Sequence, residues 1–591
     1  MTRRELLRWL GAATLAPLAG CTPPPRVERG DAPLPEDAER FGGAPGRYGG
    51  RCVLSLIQEP KGLHPLTVED AYTSQVVGLL QSGLTRYDPI ADEPVPALAK
   101  GWEVSDDHLS YTFHLRRGLR WSDGAPLTAD DVLFTFDALF DARYPNRYAQ
   151  QYTIAGERLR YEKIDEHTLR IGTAQVYAPL VNDIGFVSIL PRHRLQPAFA
   201  AGTLLEQWTT QTALREPQAI VGSGPYRLLS YRPGERLVLT PNPHYWRGDR
   251  QGQRLPYIDF LIIRIVASQN TETVLFATGQ SDAAEIGVGD VAWVGKAAAT
   301  YDFTLHDRGP AAGIGFIWFN QNPGRDARGR PFVAPHKLAW FRERRFRQAL
   351  LHALDRPGLV QAVYFGRGQP LHSVISPANG KWYNPDLPRY DYDPERARAL
   401  LAAAGFRWRD DGLLMDAAGN PVEFELLGYE GSQRLTAILT TFQENLRALG
   451  IRLRLSYVDF GSLVERTSRT FDYEASVMGL TGGGDPSGGK AIYRSDGRLH
   501  VWYPNQPRPA TEWEARIDAL MDAQERTLNE AERIRLIHEM QRVFAEELPL
   551  LFLVTPNAYV GVRNRWRNVR VPPSGPVTWN IDEWWTAQEK G

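Results

Sequence analysis

Apolar and polar residues alternate most clearly in "LSYTFHLRRGLRW". Tyr111, Phe113 and Leu115 fall on one face, and Thr112, His114 and Arg116 on the other. A period of two predicts a half-buried strand. "SDG" turns the chain. Thr128, with Asp131 three residues on, then forms a capping box that opens a helix through "VLFTFDALF". "RCVLSLIQEP" alternates in part and breaks at Pro60, so it reads as a strand, as do "RLVLT" and "DFLIIRIV". "FRQALLHAL" changes period and sets Phe346, Leu350 and Leu354 along one helix face. Asp393-Pro394 starts another helix as N-cap and first-turn proline, and Gly405 closes it. "VEFELL", "SQRLTAILTTFQENLRAL" and "IRLRLSY" read in order as strand, helix and strand. Gly450 ends the helix, and Ile451, Leu453 and Leu455 alternate after it. Asn529 with Glu532 caps a late helix that runs to about Glu546. No short repeat interrupts this mixture, so the fold class is α/β or α+β rather than a solenoid.

Length sets the number of cores. A chain of 591 residues is too long for one, so several lobes are expected. Charge excludes one class of partner. A net charge of -1 gives no electrostatic case for nucleic acid. The N-terminus adds a destination. "TRRELLRW" is basic and "LGAATLAPLAG" is a short apolar run, too short to span a bilayer, so residues 1–21 read as an export signal. Leu18-Ala19-Gly20-Cys21 resembles a bacterial lipobox, which implies cleavage before Cys21 and lipid on its sulfur. Arg3-Arg4 with Leu6-Leu7 also resembles a twin-arginine signal. Residues 22–48, rich in proline and glycine, read as a disordered tether. With Cys21 lipidated, Cys52 has no partner, so core burial must hold the exported fold together.

Motifs for chemistry are missing. There is no H-E-x-x-H, C-x-x-C or G-x-S-x-G, and the histidines are singletons. Acidic pairs such as Asp106-Asp107 and Asp130-Asp131 are sequence neighbours whose side chains do not face each other. No catalytic residue, metal site or cofactor is therefore predicted. One segment imitates a phosphate-binding loop: "GLTGGGDPSGGKAIY", where Gly484, Gly489 and Lys490 have the right spacing. The residue that should hold Mg²⁺ is Ala491, and the text after Lys490 has no helical period, so nucleotide is not expected.

Four blocks, in order, resemble the family 5 extracellular solute-binding proteins of ABC importers, the peptide-binding group. They are "LAKGWEVSDDHLSYTFHLRRGLRWSDGAPLTADDVLFTF", "VGSGPYRLLSYRPGERLVLTPNPHYWRG", "FRERRFRQALLHALDRPGLV" and "YDPERARALLAAAGF". The resemblance implies a periplasmic-binding-protein-like fold of two α/β lobes joined by hinge strands. It assigns 49–66, 216–315 and 550–591 to lobe I, 67–215 to an insertion in it, and 316–549 to lobe II. It implies a monomer that binds an oligopeptide or peptide-like solute, or alternatively an oligosaccharide, and delivers it to the membrane subunits of an ABC permease. The different-class rival is an extracytoplasmic hydrolase. In family members, an extended ligand pairs its backbone with segments matching Gln58 and Glu59 on one side. On the other side the matching residues are Gly479, Thr481, Gly482, Gly483, Gly484 and Asp485. Peptide binders carry an aspartate four residues before the loop proline, and here that position is Gly482. Gly479 stands where a bulky aromatic is usual.

Overall fold

The computed structural model describes residues 27–30, 33–146 and 148–587. The expected export signal, residues 1–21 with Cys21, lies outside them. Two hydrophobic cores organise the chain. The first is built on a four-stranded sheet in the order Tyr226–Arg232, Arg236–Pro241, Phe260–Ile265, Arg51–Leu56. Arg51–Leu56 runs parallel to Phe260–Ile265 and forms one edge of this sheet.

A second four-stranded sheet follows the order Ala99–Val104, Ser110–Leu115, Thr168–Gly172, Arg160–Asp165. Ser110–Leu115 buries Tyr111, Phe113 and Leu115 and half-exposes the residues between, as its period of two demands. Thr128 and Asp131 form the predicted capping box on the helix Ala129–Phe140. This sheet shares one continuous core with the first, in which Phe113 and Trp121 join Cys52 and Tyr226.

The second core lies against a five-stranded sheet in the order Arg452–Val458, Glu423–Tyr429, Ala475–Leu480, Ile314–Phe319, Leu550–Phe552. Glu423–Tyr429 and Arg452–Val458 are parallel, joined by the helix Gln433–Ala448. That helix buries Leu435, Ile438, Leu439, Phe442 and Leu446, one face at helical spacing. Strands join the cores. Ala283–Ile286 places Ala283 in the first core and Ala284 and Ile286 in the second, and Phe303–Pro310 leads through Ala311–Gly313 into Ile314–Phe319. Val554–Arg563 places Val554 and Tyr559 in the second core and Val560 and Val562 in the first. Among the described residues no helix is long and apolar enough to cross a membrane.

The tether expected over 22–48 is corrected where it is described. Arg40–Phe41 pairs with Gly248–Asp249, and Phe41 is buried. Glu39 receives hydrogen bonds from Arg86 at 2.7 Å and from Arg247 at 2.8 Å. The guanidinium of Arg29 stacks over the Tyr48 ring at 3.8 Å. Composition read the segment as a tether because it has few apolar residues. What orders it is charge pairing supplied by distant parts of the chain.

Arg247 is the centre of that pairing. It is 4% exposed and also binds Asp582 and, at 2.9 Å, Glu583. Burial opposes its charge. The carboxylates of Asp582 and Glu39, the Tyr245 phenol and then Glu583 outweigh burial and hold the guanidinium firmly protonated. Removing one partner of a buried ion pair leaves the others uncompensated and costs roughly 3–5 kcal/mol. Arg247→Met is therefore expected to destabilise the first lobe by about that amount and to expose residues 33–48 to limited proteolysis under native conditions. Resistance equal to that of the unsubstituted protein would show that this cluster does not hold the segment.

Candidate functional site

Between the two cores lies a cavity of about 750 Å³. One wall is the end of the edge strand, Leu54 to Ile57, with Tyr72 and Gln75 of the helix Ala71–Leu80 beside it. The opposite wall is Gly479 to Gly482, and the crossing segment from Ala311 to Gly313 closes one end. A second cavity of about 530 Å³ shares Ala71, Gln75, Leu79, Pro576 and Thr578 with the first. Together they make a groove along the helix Ala71–Leu80, in the size range of small-molecule sites.

Both walls are strand edges. Outside the sheet, Asp282 covers the edge of Arg51–Leu56 at Val53. Its carboxylate accepts from the Val53 amide at 2.7 Å, and its own amide donates to the Val53 carbonyl at 2.7 Å. The strand Ala475–Leu480 pairs with Glu423–Tyr429 only at Ala475 and Ser476. From Val477 onward its one ladder partner is Ile314–Phe319, with Gly479 opposite Gly315. Two lobes thus turn backbone toward one space.

The predicted site residues separate into distinct groups. Gly479, Thr481 and Gly482 line the cleft, but each glycine is there for a different reason. A Cβ on Gly482 would sit 2.1 Å from the Ala312 carbonyl oxygen, so the crossing segment, not a ligand, requires glycine there. Gly483 and Gly484 hold φ of +118° and +76°, the left-handed region that favours glycine, so the turn requires them. A Cβ on Gly479 would meet only the Ile314 oxygen, at 3.5 Å, an ordinary contact.

Gly483, Gly484 and Asp485 line a smaller hollow of about 190 Å³ inside the second lobe. The Asp485 carboxylate is held within its own lobe. It receives two hydrogen bonds from Arg533, both 2.9 Å, and caps the following turn by accepting from the Ser487 amide at 2.9 Å. Gln58 is exposed and does not line the cavity. Glu59 is held by the Tyr231 hydroxyl and, at 2.8 Å, by the Gly234 amide, which fastens the hairpin of the first sheet.

The loop after Asp485 corrects a second expectation. A 3₁₀ turn, Pro486–Gly489, runs straight into a helical turn, Lys490–Tyr493, where no helix was predicted. The segment is still not a phosphate cradle. Lys490 lies 3.6 Å from the Glu525 carboxylate, and the Tyr493 ring packs against Gly489, where a Cβ would approach it to 2.3 Å. Among the described residues no group of three or more His, Cys, Asp or Glu could hold a metal ion.

Sequence reasoning missed the charged lining. Glu272, Glu285 and Arg308 all face the cavity. Burial, and next the neighbouring Glu285, push the Glu272 carboxyl up to about 7. Burial pulls the Arg308 guanidinium below its ordinary value, partly offset by Glu285. Arg308 donates to the Gly575 carbonyl at 2.8 Å. In the sequence Glu272 looks like any first-turn acid behind its Ser268 cap, and nothing local marks it as facing a cleft. The lobes also touch beyond the groove, where the Ala178 amide donates to the Glu525 carbonyl at 2.7 Å, so the cleft is closed over.

Comparison with known proteins agrees with this geometry. The chain is 27% identical over 482 residues to a probable ABC transporter-binding protein of Deinococcus radiodurans, covering 77% of this chain and 78% of that one. It is 25% identical over 564 residues to the oligopeptide-binding protein AppA of Bacillus subtilis, covering 93% and 94%. The solved structure of AppA in complex with a nonapeptide superposes with a TM-score of 0.69, covering 92% of this chain and 100% of that one at 24% identity. The periplasmic binding protein MelB of Agrobacterium fabrum, solved with stachyose, gives 0.70 at 21% identity, covering 92% and 85%. These solved structures share the two-lobed fold. A sequence model of the bacterial extracellular solute-binding proteins, family 5, matches residues 93–497, more than half of the chain. With two lobes closing on a backbone-walled groove and that match across both of them, the chain belongs to the family 5 extracellular solute-binding proteins.

Proposed function

We propose that this protein captures an oligopeptide or peptide-like solute in the cleft and delivers it to the membrane subunits of an ABC importer. The observation that carries the reading is the pair of strand edges, Leu54–Ile57 from one lobe and Gly479–Gly482 from the other, facing one cavity. An extended peptide supplies alternating amides and carbonyls to such edges, so affinity comes from main chain while side chains are tolerated. The oligopeptide-binding relative supports the same reading. An oligosaccharide is the second reading. Trp579 lines the adjoining cavity and is partly exposed, where a sugar ring can stack, and a relative was solved with stachyose. The family is one of solute-binding proteins, and we assign no catalytic step.

The protein acts outside the cytoplasmic membrane as a monomer, tethered by lipid on Cys21. Labelling with a fatty-acid analogue is expected to mark the unsubstituted protein and not Cys21→Ser. Equal incorporation into both would rule out that anchor.

Mass spectrometry of solute released from the denatured protein is expected to show peptides. Adding such a peptide at about 100-fold over Kd should raise stability by about 2.7 kcal/mol. Gly479→Val is expected to fold as the unsubstituted protein does, because its Cβ meets only an ordinary contact. Its isopropyl group narrows the cleft and should weaken binding at least about tenfold, about 1.4 kcal/mol. Gly482→Val, in contrast, should lose stability even without ligand, because it strikes the Ala312 carbonyl. A Gly479→Val protein with the full ligand-dependent shift would show that this strand is not a wall of the binding site.

A further inference from the structure

A lipid on Cys21 would hold this protein by a short lead. Only Thr22–Arg26 separate Cys21 from Val27, and residues 27–30 already lie on the first lobe. Arg29 donates to the carbonyls of Pro256 at 2.8 Å and Tyr257 at 2.9 Å, and it is ion-paired with Asp259. Glu28 accepts from Arg227 at 2.6 Å. The steps from Cys21 to Val27 span at most about 22 Å when fully extended. A compact chain of this length has a radius of gyration of about 25 Å. A lead shorter than that radius does not let the globule turn freely. It keeps toward the membrane the side from which Val27 departs.

That side carries the outer face of the first sheet, since Arg227 and Asp259 stand at the starts of Tyr226–Arg232 and Phe260–Ile265. A strand turns alternate residues to opposite faces. Cys52, Leu237, Leu239, Leu261 and Ile263 enter the core. The residues between them turn outward, and register gathers them: Arg236 stands opposite Arg264, Val238 opposite Ile262, and Phe260 beside Arg51. Arg232 pairs with Arg236 on the same face, and Arg227 with Thr240. Val238, Phe260 and Ile262 are half-buried and belong to neither hydrophobic core.

The charge of this face is one-sided. Its four strands contain no Asp or Glu, and every arginine in them points outward. Two acids lie beside it. Glu28 pairs with Arg227, and Glu235, in the turn, stands 3.5 Å from Arg232 and 3.4 Å from Arg236. Among the described residues, Arg51 and Arg264 have no carboxylate oxygen within 4.0 Å. Five arginines against Glu28 and Glu235 leave the face positive. Guanidinium groups match phosphate oxygens in geometry, and each basic residue near an anionic membrane adds to the attraction.

We infer that the outer face of the first sheet rests on an anionic phospholipid surface and holds the anchored protein in one orientation. The inference rests on the lipid anchor proposed at Cys21. It leaves the cleft free, because Leu54–Ile57 is the other end of the strand that begins at Arg51.

The test uses the lipidated protein in vesicles of phosphatidylglycerol and phosphatidylcholine in equal parts, with a fluorophore on one introduced cysteine. Ser230→Cys places it on the sheet face, and Thr440→Cys on the helix Gln433–Ala448 of the second lobe. Both positions are exposed, and Cys52 is buried. Lipids with a nitroxide on the headgroup quench a fluorophore held close to them. Quenching at Ser230→Cys is expected to exceed that at Thr440→Cys at least about threefold, the basic face being drawn to the anionic surface. It should fall by about half or more in phosphatidylcholine alone, in about 0.5 M salt, or with Arg51→Gln and Arg264→Gln combined. That double variant should keep its melting temperature, since neither guanidinium holds an ion pair. Equal quenching at the two positions, or a difference indifferent to lipid charge, salt and the double variant, would overturn the docking face and leave the anchor intact. Recovery of the protein free of the vesicles would overturn the anchor and this inference with it.

Discussion

A strand at the edge of a sheet carries a row of amides and carbonyls that must find partners in water or in another chain. Each lobe of this protein brings such an edge to the same cavity. Arg51–Leu56 is the last strand of one sheet, and Ala475–Leu480 leaves its neighbour after Ser476. The edges stay unpaired for different reasons. Asp282 blocks further sheet growth at Val53, and the parallel strand Glu423–Tyr429 stops pairing while Ala475–Leu480 continues toward the cleft. The proposed solute site is the space these two incomplete sheets leave between them.

That space exists only while the lobes keep their relation to each other, and the packing shows what sets it. Val554–Arg563 contributes to both cores, so the lobes cannot separate without bending a strand that is buried at both ends. The crossing segment at Ala312 presses on Gly482 closely enough to exclude a side chain. Cleft wall and connection are thus in direct contact, and motion in one is felt by the other. A solute that bridges both walls binds the closed arrangement better than an open one, and that difference in affinity is what shifts the population toward closure.

Much of the fold was legible in local pattern. The capping box at Thr128, the alternation through Tyr111 and Leu115 and the strand-helix-strand unit ending at Val458 all appear as read, because each is fixed by residues close in sequence. The resemblance supplied the lobes and pointed to the glycine loop. What pattern could not show was which partner each group would take. Asp485 is turned to Arg533, forty-eight residues away, and Glu59 to the Tyr231 hairpin. The ordered N-terminal segment depends on Arg247 and on Asp582 beyond it. Glu272 and Glu285 meet only because helix and strand fold to one wall. These are long-range pairings of ordinary polar residues, which carry no periodic signal.

Amide hydrogen exchange reports directly on the pairing of backbone at the two edges. With the solute recovered from the protein itself, exchange is predicted to slow at residues 54–57 and 479–482 together. Slowing at both edges in one experiment places the solute between the lobes and on their backbone. Unchanged exchange at these two segments, with protection confined to other surfaces, would contradict the account.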